Sequence, residues 1–280
     1  MTKRIQFAKQ FMRVALVAIG CVAFCFGGDK PAEEHPSVPN LNKLQILLQR
    51  TAEQMTEYVE RFSDVRCSEK VTQEKFKNNG SDKVALKEES SYDYLVILSN
   101  SGGELSLSES RLPVHEAKAD KKNRSMLVSN GFATLFLVFH PLYANSFEFT
   151  ESGEDMVEGH KLTKVAFRHI KGTRTPAALA LRGREYPLEL SGVAWIDSET
   201  GVLNKISAGI ENSMTDVGLN RLQTDVAFAP FPFKDLNKTY LFPLRAVVEV
   251  ETPRQHWRNT HEFTNYKRFS VSAEEQVANK

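Results

Sequence analysis

Cysteine is scarce in this sequence, and the places of its three residues matter more than their number. Cys21 and Cys25 fall in an apolar run near the start, which leaves Cys67 alone in the rest of the chain. A lone cysteine forms no internal disulfide, so the fold depends on its core, and Cys67 reads most simply as a small buried hydrophobe. Catalytic signatures are missing as well: there is no G-x-S-x-G elbow, no Walker loop, no G-x-G-x-x-G and no H-E-x-x-H. The seven histidines lack ligand spacing. His256 and His261, like His160 and His169, stand at odd offsets that put them on opposite faces of a strand. The carboxylates are scattered singly through turns and polar faces. No catalytic residue, metal or cofactor is assigned, and the chain is read as a non-enzyme. Nor does any apolar run reach the roughly 20 residues that a membrane-spanning helix needs.

What the chain does have begins at its start. Lys3, Arg4, Lys9 and Arg13 precede an apolar run from Val14 to Phe26, which ends in Gly27-Gly28 and then turns polar. That order predicts a secretory signal peptide over 1–28 and an exported, periplasmic protein. The alternative is a membrane-anchored lipoprotein acylated at Cys21. Cleavage removes four basic and no acidic residues, so the formal charge moves from +1 to −3, with 32 basic residues against 35 acidic ones. No basic stripe remains to answer a phosphate backbone, which excludes nucleic acid as a partner.

The rest divides into a proline-bearing linker at 29–40, one domain over 41–272 and a disordered tail at 273–280. Leu44, Leu47, Leu48, Met55, Tyr58, Val59 and Phe62 recur at helical spacing and predict an amphipathic helix over 41–62, capped by Asn40 or Asn42. Strands are expected at 65–76, 84–89, 91–98 and 104–108. Leu112-Pro113-Val114 either leaves the sheet or lies on its edge, since proline cannot donate to a ladder. A charged loop follows at 116–124. Phe132, Leu135, Phe136, Leu137, Val138 and Phe139 surround a short helix on nearly every side, and a helix apolar all round must be enclosed. His140 finishes that helix, where its cationic form suits the C-terminal dipole.

Beyond it, 147–150 and 156–169 read as a hairpin turning at Ser152–Asp155. Gly172–Pro187 reads as an irregular loop and a candidate lid, with Arg174, Leu179, Leu181, Arg182 and Arg184 as its residues. The last third is the plainest β pattern. Strands at 188–196 and 203–210 join through a turn at Gly201, and strands at 223–233, 240–251 and 256–271 follow. The fold class is therefore mainly β with α: a curved antiparallel sheet, an open half-barrel, wrapped around a short apolar helix. Phe132, Phe136, Phe139, Tyr143, Phe228, Tyr240, Phe242 and Trp257 are the candidate lining of an apolar cavity, since apolar concavities are the default binding sites.

The long helix at 41–62, the apolar helix at 132–139, Trp195-Ile196-Asp197 with Thr200-Gly201, and Leu241-Phe242-Pro243 follow one another behind an export signal. In that order the chain resembles exported bacterial proteins of the outer-membrane lipoprotein-sorting class, the LolA/LolB/LppX-like half-barrels. The resemblance implies an open half-barrel whose concave side shelters acyl chains or a lipidated partner. No residue here matches the class's acyl-contacting arginine. The expected partners are a hydrophobic ligand or lipoprotein acyl chains, with envelope proteins as further candidates, bound by a monomer. The alternative is an envelope scaffolding module with a filled core and no ligand.

Overall fold

Helix α1, Lys43–Ser63, opens the described part of the chain. The computed structural model describes residues 42–268, apart from 78–80, 102–103, 115–130, 158, 182 and 234–236. The expected signal peptide, linker, charged loop and tail lie outside the described residues, as does Arg182. Asn42 caps α1 through a reciprocal box: its Oδ1 accepts from the Gln45 amide at 2.8 Å, and Gln45 Oε1 accepts from the Asn42 amide at 2.9 Å. Leu47, Thr51, Met55, Val59 and Phe62 form the stripe that the helix buries. No helix among the described residues is long and apolar enough to cross a membrane.

Among the described residues the main sheet has ten strands. In chain order these are β1 (Val65–Lys77), β2 (Ser81–Ser101), β3 (Glu104–Pro113), β4 (Phe147–Val157), β5 (His160–His169), β8 (Leu190–Asp197), β9 (Leu203–Ile210), β10 (Arg221–Phe233), β11 (Lys238–Glu251) and β12 (His256–Arg268). They lie in the order β3-β2-β1-β12-β11-β10-β9-β8-β5-β4, and every neighbouring pair is antiparallel. The first and last strands of the chain meet in the middle, where Val71 sits opposite His261 and His261 opposite Ala246. The two edges, β3 and β4, do not pair with each other, so the sheet stays an open half-barrel. Pro113 lies in edge strand β3, where a missing donor costs no interior ladder bond.

Register gives each strand one inward row. Cys67, Val71, Val226, Ala246, Val248, His261 and Phe263 are buried on that row. Against it lie α1 and a 3-10 helix, Phe132–Phe139, whose side chains are buried at seven of eight positions. Eight residues are long for a 3-10 segment. Its start is held by Glu109, whose Oε1 accepts from the Gly131 and Ala133 amides at 2.9 and 3.0 Å. Its end is set by Pro141, the first residue of helix α2 (Pro141–Ala144).

Four local readings need correction. Residues 84–98 are one strand, β2, without a break. The hairpin after α2 reverses between Val157 and His160, and Ser152–Asp155 runs within β4 as an irregularity between Glu151 and Gly153. Turn chemistry and a bulge share their residue types, and pairing with β5 decided between them. Gly172–Pro187 is not irregular throughout, for β6 (Ala178–Leu181) and β7 (Arg184–Pro187) form a separate two-stranded hairpin about Gly183. Finally, His140 is a neutral cap: burial lowers its pKa, and its Nδ1 accepts from the Leu142 amide at 3.3 Å.

Candidate functional site

A cavity of about 230 Å³ lies between the second half of α1 and strands β9 to β11. The spacing of α1 brings Met55, Tyr58 and Arg61 to its helical wall, while Leu203, Phe228, Tyr240 and Phe242 form the opposite wall. A register shift after Ala227 sets Phe228 across from Pro243 and lets the ring lean over the cavity. Tyr58 meets Phe228 edge-on with centroids 6.0 Å apart, and meets Phe136 edge-on at 5.2 Å. The Tyr58 hydroxyl is buried and has no hydrogen-bond partner among the described residues. Burial pushes its pKa well up.

The rim is polar, with Gln54, Glu57, Arg61 and Thr239 at the mouth. Arg61 is the cation there. Its Nε stands 3.8 Å from Glu57 Oε1, longer than a hydrogen bond, and its guanidinium lies 5.9 Å from the Tyr240 ring centroid.

The structure thus brings together Phe228, Tyr240 and Phe242 of the residues singled out in the sequence. Phe132, Phe136, Phe139 and Tyr143 stand instead in the packed core. Phe132 stacks on Tyr94, Phe136 lies behind Phe228, Phe139 packs on Phe149 and Phe167, and the Tyr143 hydroxyl donates to the Leu105 carbonyl at 2.8 Å. Trp257 is half-buried opposite Val250, away from the cavity walls. Of the hairpin residues, Leu179 rests on the core, Leu181 is half-buried and Arg184 is exposed. The His169 Nε2 lies 3.2 Å from the Arg174 carbonyl oxygen. Tyr58 and Met55, read in the sequence only as part of the α1 stripe, are cavity residues. Their signal was the α1 stripe itself.

No family model matches the sequence, and no curated protein matches it. Solved structures do. The chain is similar to a DUF1329 family protein from Desulfovibrio piger, at 12% identity over 86% of this chain and 96% of that one, with a TM-score of 0.41. It is also similar to a candidate outer membrane lipoprotein-sorting protein domain from Vibrio parahaemolyticus, at 9% identity over 81% and 94%, with a TM-score of 0.39. A LolA superfamily protein from Nitrosomonas europaea is similar at 8% identity over 79% and 94%, with a TM-score of 0.35.

A second cluster, of charged residues, is sealed inside. Arg111 on β3 binds Glu69 on β1 through Nε at 2.6 Å and Nη2 at 2.9 Å, and reaches Glu109 Oε2 at 3.0 Å. His261 Nδ1 lies 2.8 Å from Glu69 Oε1. Burial acts to raise the pKa of Glu69, but the bonds to His261 and Arg111 outweigh it and the net direction is down. For Glu109 burial wins over Arg111 and the Ala133 amide, and the net direction is up. With Glu69 and His261 fully enclosed, the cluster offers no cleft for a substrate.

On the outer face Glu249, Glu251 and His256 come within 4.8 Å of one another. Arg221 and Arg258 already bind these carboxylates, at 3.0 Å to Glu251 and 3.3 Å to Glu249, and supply the positive charge a metal ion would bring. His261, by contrast, faces inward, so the two histidines do not share a site.

Proposed function

We propose that this chain is an exported, non-enzymatic binding protein that holds an apolar ligand, a lipid or the acyl part of a lipidated partner, on the inner side of its half-barrel. One observation carries the reading: the aromatic-walled cavity beneath α1, bounded by Met55, Tyr58, Leu203, Phe228, Tyr240 and Phe242. The 3-10 helix fills the neighbouring part of the inner face with its own side chains, whereas beneath α1 several aromatic rings border open space. Affinity comes from burial, at about 25 cal/mol per Å² of apolar area before the costs of association. The hairpin over Gly172–Pro187, attached to the core through Ala177 and Leu179, is the segment proposed to move when ligand leaves. Partners are the ligand itself and envelope proteins that deliver or accept it.

Native mass spectrometry of protein purified without detergent tests the reading, and co-purified lipid is the expected result. The complete burial of Phe136, Leu137 and Val138 favours the rival, an envelope scaffold with a filled core. That rival predicts a clean apo mass and no uptake of a hydrophobic probe by the native protein.

A further inference from the structure

We infer that the cavity takes one short alkyl chain of roughly nine carbons bearing an anionic head, held at the mouth by Arg61. The inference rests on the binding-protein reading above and narrows it to a ligand class. Size comes first. An apolar cavity of about 150 Å³ is known to accept benzene, six carbons, so a cavity of about 230 Å³ takes roughly nine in proportion. The 3-10 helix occupies the adjoining inner face, with Phe136, Leu137 and Val138 at 0% exposure, so the space does not continue inward past them.

Shape and charge come next. With Met55 and Tyr58 on the helical wall and Phe228, Tyr240 and Phe242 opposite, the lining is mostly flat rings, which suits a slender chain more than a branched or fused-ring group. Arg61 is 40% exposed, and its contact with Glu57 is a solvent-facing pair of the kind worth little. Arg61 therefore keeps donors for a better-placed anion, and a head group at the mouth meets it as the tail enters the cavity. Carbons beyond the first nine or so stay in water and add nothing.

Calorimetric titration with straight-chain alkanoates of six to sixteen carbons, and with the matching alcohols, tests this on the purified protein. The expected result is a Kd that falls about fourfold per methylene up to about ten carbons and then levels off. Acids should bind about tenfold tighter than alcohols of the same length, and Arg61→Gln should erase that preference. Affinity still climbing at sixteen carbons overturns the chain length. Equal binding of acid and alcohol by the unaltered protein overturns the role of Arg61. Failure of every chain length to bind overturns this ligand class, whereas the binding-protein reading stands or falls with co-purified lipid in native mass spectrometry, which keeps the two failures apart. Thr239→Trp, at the exposed rim, should weaken all chain lengths together while leaving the fold intact by circular dichroism; undiminished binding places the ligand elsewhere and overturns the assignment.

Discussion

Arg111 and Glu69 form a two-pronged ion pair at 2.6 and 2.9 Å with 8% and 0% of their side chains exposed. Strands β1 and β3 are not neighbours, so the pair reaches across β2 on the inner face. Through Glu109 the same guanidinium is tied to the start of the 3-10 helix. Removing one member leaves the others charged and enclosed. Arg111→Met should therefore cost about 3–5 kcal/mol, read as a lowered urea midpoint. Replacing Glu69 and Glu109 by glutamine in the same chain should recover a large part of that loss, because what hurts is the uncompensated charge.

The same cluster sets a pH dependence. Glu69 holds its proton less tightly folded than unfolded, so its contribution is complete above the ordinary glutamate range and is lost as pH falls through its lowered value. Asp197 and Glu249 act in the same direction. Burial raises each, but Asp197 is bonded by Thr200 and Glu199, Glu249 by His256 and Arg258, and both end lowered. Glu109 works oppositely: its raised value favours the folded state at low pH and is lost as pH rises through that value. With Glu89, Glu154 and Asp155 also lowered at the surface by lysine partners, the balance against Glu109 predicts a net fall in stability below pH about 4, the unperturbed carboxylate range. Urea midpoints from pH 7 to pH 3 check this, and Glu69→Gln should flatten the acid limb.

Gly201 offers a controlled comparison. Its φ is +75°, and a Cβ there would meet Arg50 Cβ at 2.7 Å on α1. Gly218 has nearly the same φ, +78°, with open space around it. Gly218→Ala should cost only the left-handed conformation, about 1–2 kcal/mol. Gly201→Ala should cost more, since the turn must also back away from the helix. The difference in Tm between the variants measures how closely the β8–β9 turn is seated on α1.

Much of this architecture was legible in the residues. The α1 stripe, the alternation in β11 and the left-handed turn at Gly201 each follow from a single local rule, and the structure keeps them. The 3-10 helix was legible as something buried because it has no polar side. Its 3-10 winding was not, since no local pattern separates it from an α-helix, and the carboxylate that holds its start, Glu109, comes from β3. The buried ions escaped for a related reason. Glu69 lies between Cys67 and Val71 on the inward parity of β1, a signal that was present, but its partners Arg111 and His261 come from strands far along the chain. The cavity was half legible: aromatic content pointed to Phe228, Tyr240 and Phe242. The position of the open space depended on how far α1 covers the sheet, which no local pattern encodes.

Phe242 and Phe228 share the cavity and should respond differently to truncation. Phe242 is 1% exposed and packs on Phe62, Phe233 and Tyr266 with centroids 5.8, 5.8 and 4.8 Å away. Phe242→Ala removes a ring the core cannot close over, so a loss of about 3–5 kcal/mol is expected. Phe228 is only half-buried and already borders open space, so less surface is orphaned when it goes. Phe228→Ala should cost about half as much by urea unfolding and should widen the cavity toward Phe136. A fluorescent apolar probe should then bind the variant with at least the original affinity. Equal destabilisation by the two substitutions would mean that the space beside Phe228 is closed in solution.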